Sequence, residues 1–250
     1  MNYKYASVKT NYEDLSAGRV LYSIPGSTGF PVRLASEIFQ RGAAYLEKKF
    51  QKERLVLYDP CCGSGYLLTT IGLLHHDKIS QIYASDIDLK MLGVAEKNLK
   101  LLTLEGIEKR IQRLQEMYTE YGKDAHKLAL ESAIRLYGKV KNDTRSVETN
   151  VFFYDVTGSE PFPPNILSNI DFVLTDLPYG NITHWQGSDD ESTGLKTLIE
   201  RTRPILSPRS VVAIVSLKKQ KLSFEHQIEL TSFSLGKRIV TFLVPIVESA

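Results

Sequence analysis

Long apolar runs are missing from this chain: no stretch approaches the roughly 18 residues that a membrane-spanning helix needs. The opening MNYKYASVKTNYED also lacks the apolar core of a signal peptide. Cysteine is scarce. The two present, Cys61 and Cys62, are neighbours, and adjacent residues rarely meet disulfide geometry. That argues against a disulfide framework and makes a reducing compartment the expectation. Five scattered histidines without a second cysteine pair give no zinc spacing. Charge of one sign is lacking too, since 31 Lys and Arg against 29 Asp and Glu leave a net charge of +2 at pH 7. Nucleic-acid binding therefore cannot rest on the field of the whole chain, and any basic surface must be local. There is no internal repeat and no low-complexity tract. A soluble, cytoplasmic protein without membrane contact is the expectation.

What is present is an ordinary globular mixture, 42% apolar and 24% charged over 250 residues. Residues 1–30 are irregular and carry the turn signals IPG and STG. From Pro31 the text becomes helical, with a proline where a first turn accepts one and Leu34, Ile38, Ala44 and Tyr45 at roughly helical spacing. Strand and helix patterns then alternate. LVLYD (55–59), QIYASD (81–86), NVFFYDV (150–156), DFVLTD (171–176), SVVAIVSL (210–217) and KRIVTFLVPIV (237–247) read as strands. GYLLTTIGLLHH (65–76), LKMLGVAEKNLKLL (89–102) and TGLKTLIERTRPIL (193–206) read as helices. Such alternation predicts an α/β fold with a mostly parallel sheet and helices on both faces.

The rhythm breaks at 103–148, a charged helical stretch richer in Lys and Arg than in Asp and Glu. Ile107, Ile111, Leu114, Tyr118 and Tyr121 form one stripe along it. The stripe predicts a helical hairpin packing on itself and the sheet, with an apolar face turned inward and a mildly basic, substrate-gripping face outward. The organisation expected is an N-terminal segment and helix (1–50) followed by 51–250 with the helical insertion 103–148, one compact domain overall.

Two stretches carry the chemistry. In DPCCGSG a strand ends at Asp59, and Gly63 and Gly65 frame a turn before a helix. Glycines belong where the chain bends sharply and where a ligand must approach the backbone. The next strand ends in ASDID, with Asp86 about 20 residues further on, where an acid can accept both hydroxyls of a ribose. A dinucleotide fingerprint would place a third glycine at position 68, which is leucine. Asp59, just before the loop, would repel a pyrophosphate and suit a cationic amino-acid tail. The pattern favours S-adenosylmethionine over NAD. The adjoining Asp88 reads as the N-cap of the following helix.

The second stretch is DFVLTDLPYG (171–180). A buried strand ending in Asp176, with Pro178 fixing one φ, can hold a carboxylate and the Tyr179 ring rigidly at a site edge. The Asp176 carboxylate and the Leu177 carbonyl could accept the two hydrogens of an exocyclic base amine, while Tyr179 stacks on the base.

Asp59, Gly63, Gly65, Asp86, Asp155 and the DLPY tip fall in the order of the Rossmann-like S-adenosylmethionine-dependent methyltransferases. More narrowly, FPVRLASEIFQR, DPCCGSGYLLT, ASDID and LTDLPYG followed by THW resemble the avilamycin-resistance ribosomal RNA methyltransferases of the AviRa type. The resemblance covers nearly the whole chain. It implies a seven-stranded methyltransferase sheet preceded by a small helical element, with a helical insertion after the second strand. It also implies a guanine of 23S rRNA in the large subunit as target, and resistance to orthosomycin antibiotics such as avilamycin.

By the same resemblance Asp59, Cys61, Gly63 and Gly65 would lie along the methionine end of the cofactor. Asp86 would hold the ribose, Ile87 would pack on the adenine, and Asp155 with Val156 would meet the adenine edge. Asp176 would serve both cofactor and base. Arg33, Tyr179, His184, Trp185, Lys218 and Lys219 are the candidates for gripping RNA, with Tyr22 and Phe30 as covers over cofactor or base. A monomer is expected. Two departures stand out: the loop has one glycine fewer than the fullest pattern, and Leu177 sits where many relatives carry a proline. The DLPY tip recognises an amine rather than a particular base, so an adenine-N6 enzyme on RNA or DNA stays open, as does a cofactor-binding rRNA assembly factor without catalysis.

Overall fold

The computed structural model describes residues 3–25, 29–142, 145–163, 169–177, 191–217 and 227–245. An irregular N-terminal segment, with one 3-10 turn at Glu13–Leu15, leads into α1 (Val32–Phe50). There follow β1 (Leu55–Asp59), α2 (Tyr66–Leu74), β2 (Ile79–Asp86), α3 (Leu89–Lys100), α4 (Leu104–Tyr121), α5 (Asp124–Asn142) and β3 (Glu148–Phe153). The chain continues through β4 (Ile170–Asp176), α6 (Glu191–Thr202), β5 (Leu206–Leu217), β6 (Gln227–Leu235) and β7 (Arg238–Pro245).

The strands form one seven-stranded sheet in the order β3-β2-β1-β4-β5-β7-β6. All pairings among β1 to β5 are parallel, and β7 runs antiparallel to β5 and β6. This is the mostly parallel, Rossmann-like α/β sheet expected. From β1 the chain winds outward to β3 and returns to start β4 on the other side of β1. That reversal opens a crevice off the carboxyl ends of β1 and β4, where such sheets bind ligands.

Strand alternation divides the core in two. Leu57, Phe172, Ala213 and Phe242 belong to one apolar cluster with Leu34 of α1, Leu68 of α2, Leu99 of α3, Leu114 of α4 and Leu136 of α5. Tyr58, Val173, Ile214 and Leu243 belong to the other, with Leu195 and Leu198 of α6. Helices thus cover both faces, most heavily the first.

Three readings of pattern need correction. The buried face of α1 runs through Leu34, Ala35, Ile38, Phe39, Ala43 and Leu46, while Ala44 and Tyr45 are only half-buried. The insertion is the expected hairpin, two helices joined at Gly122, whose φ is 63°, but its stripe is shorter than the pattern suggested. Its stripe is buried at Ile107 and Leu114, fades through Ile111 and Tyr118, and ends with Tyr121 exposed. One of its cations also turns inward: Arg110 is buried and donates to the carbonyls of Val20 (2.8 Å) and Arg19 (3.2 Å). The strand missed by pattern is β6, which among the described residues pairs only with β7 and roughly alternates polar with apolar residues.

Candidate active site

Parallel strands ending together place their last residues side by side. Asp59 closes β1, Asp86 closes β2 and Asp176 closes β4, while Asp155 follows β3 by two residues. The carboxylates interact. Burial pushes the Asp59 carboxyl up to about 8 against the pull of the Cys61 N–H, and the like charges of Asp86 and Asp176 reinforce the rise. The Cys61 thiol feels Asp59, Asp86 and Asp155 together. Asp59 and Asp176, more than 110 positions apart in the chain, thus lie close enough to interact at the strand ends.

The turn between β1 and α2 is built by its own backbone. Asp59 accepts from the Cys61 N–H (3.0 Å), the Cys62 N–H bonds to the Ser85 carbonyl (2.9 Å), and the Gly65 N–H to the Cys62 carbonyl (2.8 Å). Gly63 and Gly65 have φ of 52° and 69°, in the left-handed region that costs a side chain about 1–2 kcal/mol. At Gly65 a Cβ would also stand 3.0 Å from the Ala95 Cα of α3, whereas at Gly63 it would meet open space. Gly65 lets a helix close in; Gly63 leaves room above the loop. Burial pushes both cysteine thiols well up, so neither is a thiolate nucleophile at neutral pH.

Asp86 is tied on both oxygens, one accepting from the Gly63 N–H (2.7 Å) and the other from the Asp88 N–H (2.9 Å). Burial raises its pKa, while those N–H groups oppose the rise. A carboxylate offers about four lone-pair sites, so capacity for two hydroxyls remains. Asp88 caps α3 as expected, accepting from Lys90 (2.8 Å) and Met91 (3.3 Å). Ile87 is half-buried beside them. Asp155 closes a turn by accepting from the Thr157 N–H (2.9 Å) and hydroxyl (2.7 Å), and Val156 is buried. Leu177 is buried, and its N–H donates to Val215 of β5 (3.0 Å), which continues the β4 pairing one residue past Asp176.

Pro178, Tyr179, His184, Trp185, Lys218 and Lys219 lie outside the described residues. Arg33 is a clamp: its guanidinium donates to the carbonyls of Ala6 (2.8 Å) and Ser7 (2.9 Å) and lies over the Tyr3 ring. Tyr22 is half-buried and Phe30 buried.

Sequence reasoning missed the polar joints behind the turn. The fully buried Asn98 of α3 accepts from the Tyr22 N–H (2.7 Å) and donates to the carbonyls of Tyr22 (3.0 Å) and Ser64 (2.9 Å). It thereby joins the glycine turn to the N-terminal segment. Arg110 of α4 lies 4.2 Å over the Tyr22 ring and completes the joint. Glu37, fully buried in α1, accepts from the N–H groups of Lys4 (2.7 Å), Tyr5 (2.9 Å) and Ala6 (2.7 Å) and pairs with Arg41 (2.7 Å). An isolated acid amid the apolar positions of α1 was the one available signal.

The donor set fits a particular ligand. Crowded carboxylates of one sign, a buried neutral acid and an open glycine turn suit a cationic group beside a hydroxylated sugar. They do not suit a phosphate.

Comparison with known proteins points the same way. The profile of a family described as rRNA methyltransferase AviRa matches residues 1–238. The 23S rRNA (guanine(2535)-N(1))-methyltransferase of Streptomyces viridochromogenes is 41% identical over 191 residues, covering 74% of this chain and 73% of that protein. Two crystal structures of rRNA methyltransferase aviRa from the same organism, at 1.5 and 2.4 Å, superpose with TM-scores of 0.85 and 0.83. Both are 34% identical, over 98% of this chain and 96% of theirs.

Proposed function

Since the chain belongs to the AviRa family of rRNA methyltransferases, we infer that it transfers a methyl group from S-adenosylmethionine to a guanine of 23S rRNA. The observation that supports this reading best is the meeting of Asp59, Asp86 and Asp176 at the carboxyl ends of three adjacent strands. Asp59 would face the charged methionine tail and Asp86 the ribose. Ile87, Asp155 and Val156 would border the adenine, with Cys61, Gly63 and Gly65 forming the turn beneath. When bound, the cofactor supplies an electrophilic methyl group on a sulfonium.

The chain's own residues orient and deprotonate the acceptor. The relative's name specifies ring N1, so we place the acceptor nitrogen there rather than at the exocyclic amine. A guanine N1 carries a proton and no free lone pair, and it becomes nucleophilic as that proton leaves. The Asp176 carboxylate takes the N1 proton, the Leu177 carbonyl accepts from the exocyclic amine, and Tyr179 stacks on the ring. Pro178 fixes the direction of that tip. A base can reach it only when unstacked, in a loop or as a flipped nucleotide. Fixed orientation of the two reactants can lower the barrier by roughly 7–11 kcal/mol. His184, Trp185, Lys218 and Lys219 are assigned to gripping RNA around it. Protection of the ribosome from orthosomycins would follow from a methyl group in the drug's footprint.

The test is labelled methyl transfer to unmodified large-subunit rRNA, followed by mapping of the modified nucleotide. Label at N1 of one guanine is expected. Label on an adenine, or none on 23S rRNA, would overturn the reading.

A further inference from the structure

The described residues before α1 are irregular, and they border an open cavity whose lining, among the described residues, includes none of the strand-end acids. The cavity measures about 830 Å³, and its lining includes Lys9, Tyr12, Glu13, Phe30, Arg33 and Tyr66. Three sets of bonds hold its walls. Glu37 gathers the N–H groups of residues 4 to 6, Arg33 clasps the carbonyls of Ala6 and Ser7, and the Tyr66 hydroxyl donates to the Leu15 carbonyl. The space is therefore preformed, and a ligand entering it loses little to ordering the protein. Its position follows from covalent continuity: Tyr66 is the residue after Gly65, the last of the glycine turn. One wall of the cavity therefore starts a single residue past the glycine turn.

Its chemistry is aromatic with a positive rim. Phe30 and Tyr66 are buried beneath, while Tyr12 is half-buried and retains surface to offer. Lys9 is exposed and has no partner among the described residues. Arg33 spends two N–H groups on its clamp and keeps others. The rim's carboxylate is engaged, since Glu13 pairs with Arg19 at 3.5 Å. The acid next to it, Asp14, pairs with Arg135 at 2.7 Å. An aromatic surface beside a free cation is what single-stranded RNA requires, the base stacking and the phosphate meeting the ammonium. A guanine drawn from its stack leaves its neighbours exposed, and a site whose wall starts one residue past the glycine turn can take one of them.

We propose that this cavity receives the nucleotide flanking the target guanine, with its base on Tyr12 and its phosphate at Lys9. The subsite rests on the rRNA methyltransferase reading and adds to it a second point of contact on the RNA strand. It does not depend on which base flanks the target.

Steady-state methyl transfer with a 23S rRNA fragment as the varied substrate tests it, using the wild-type chain, Lys9→Glu and Tyr12→Ala, with S-adenosylmethionine affinity measured in parallel. Tyr12→Ala should raise KM for RNA by about tenfold or more. Lys9→Glu should raise it several-fold and lower the slope of log affinity against log salt by about 1. Cofactor affinity should stay at the wild-type value in both. Wild-type KM and salt slope in both variants would overturn the proposal while leaving the methyltransferase reading intact. No transfer by the wild-type chain would overturn the reading and the subsite together. If Tyr12→Ala fails to fold, Lys9→Glu decides alone, because that exposed side chain supports nothing in the structure.

Discussion

Asp59 and Glu37 are both buried carboxylic acids, 2% and 0% exposed, yet their surroundings drive them in opposite directions. Burial opposes ionisation of Glu37, but the N–H groups of Ala6, Lys4 and Tyr5 and the Arg41 guanidinium outweigh it and hold the carboxyl below the usual glutamate range. For Asp59 burial wins: with the like charges of Asp86 and Asp176 adding to it, it pushes the carboxyl up to about 8 against the Cys61 N–H and the Thr175 hydroxyl. Burial alone therefore says little about an acid's task. Glu37 is satisfied from within the chain and fastens the N-terminal segment to α1. On the proposed function, Asp59 gains its missing partner when the cationic methionine tail arrives. The first acid is structural and the second is the one we propose for cofactor binding, and the donors around each make the difference.

The contrast can be broken first at the catalytic end. Asp176→Ala removes an acid from the crevice and with it the proposed base for N1, so methyl transfer should fall by about 10²–10⁴-fold. Cofactor affinity, measured by calorimetry, should persist. Full turnover in that variant would remove Asp176 from the chemistry.

At the structural end, Glu37→Ala leaves three N–H groups and a guanidinium without their acceptor. It should cost about 2–3 kcal/mol in urea unfolding and expose the first residues to proteolysis. The pH dependence follows from the lowered pKa. Glu37's contribution is fully present above the ordinary glutamate pKa of 4.5 and is lost as pH falls through the folded value. An unchanged urea midpoint would dissolve the distinction between the two acids.

A smaller effect sharpens it. Asp59 has a raised pKa, so the folded chain binds more protons than the unfolded one between the ordinary aspartate value and about 8. Its contribution to stability therefore declines as pH rises through that window and levels off above it. Asp59→Asn should flatten the decline and make the cofactor-free chain more stable than wild type at pH 9, by about 1 kcal/mol. The same variant should bind S-adenosylmethionine more weakly. Wild-type thermal midpoints across the range would show that Asp59 ionises freely.

Much of the crevice was legible because its elements obey local rules. Buried parallel strands read as continuous apolar runs, as LVLYD and DFVLTD do, and β1 and β4 lie within a residue of the expected spans. Asp59, Asp86 and Asp176 end their strands, so period and position point to them together. β6 was illegible because an edge strand needs only one apolar face, and IELTSFSL offers no continuous run. The N-terminal wall was illegible for a deeper reason. Its contacts join Glu37 to residues 4 to 6, Asn98 to Tyr22, and Arg110 to Val20, distances of 31 to 90 positions. Long-range polar joints of this kind leave no periodicity, and only the folded chain brings their partners together.

The central claim is that the strand-end acids await a cation. It is tested most directly by calorimetric titration of S-adenosylmethionine at pH 7 in two buffers of different ionisation enthalpy. Asp59, whose carboxyl burial pushes up to about 8, should ionise as the charged methionine tail arrives. A net release on the order of one proton is predicted, and it should disappear in Asp59→Asn. Binding with no buffer dependence, or with proton uptake, would contradict the account.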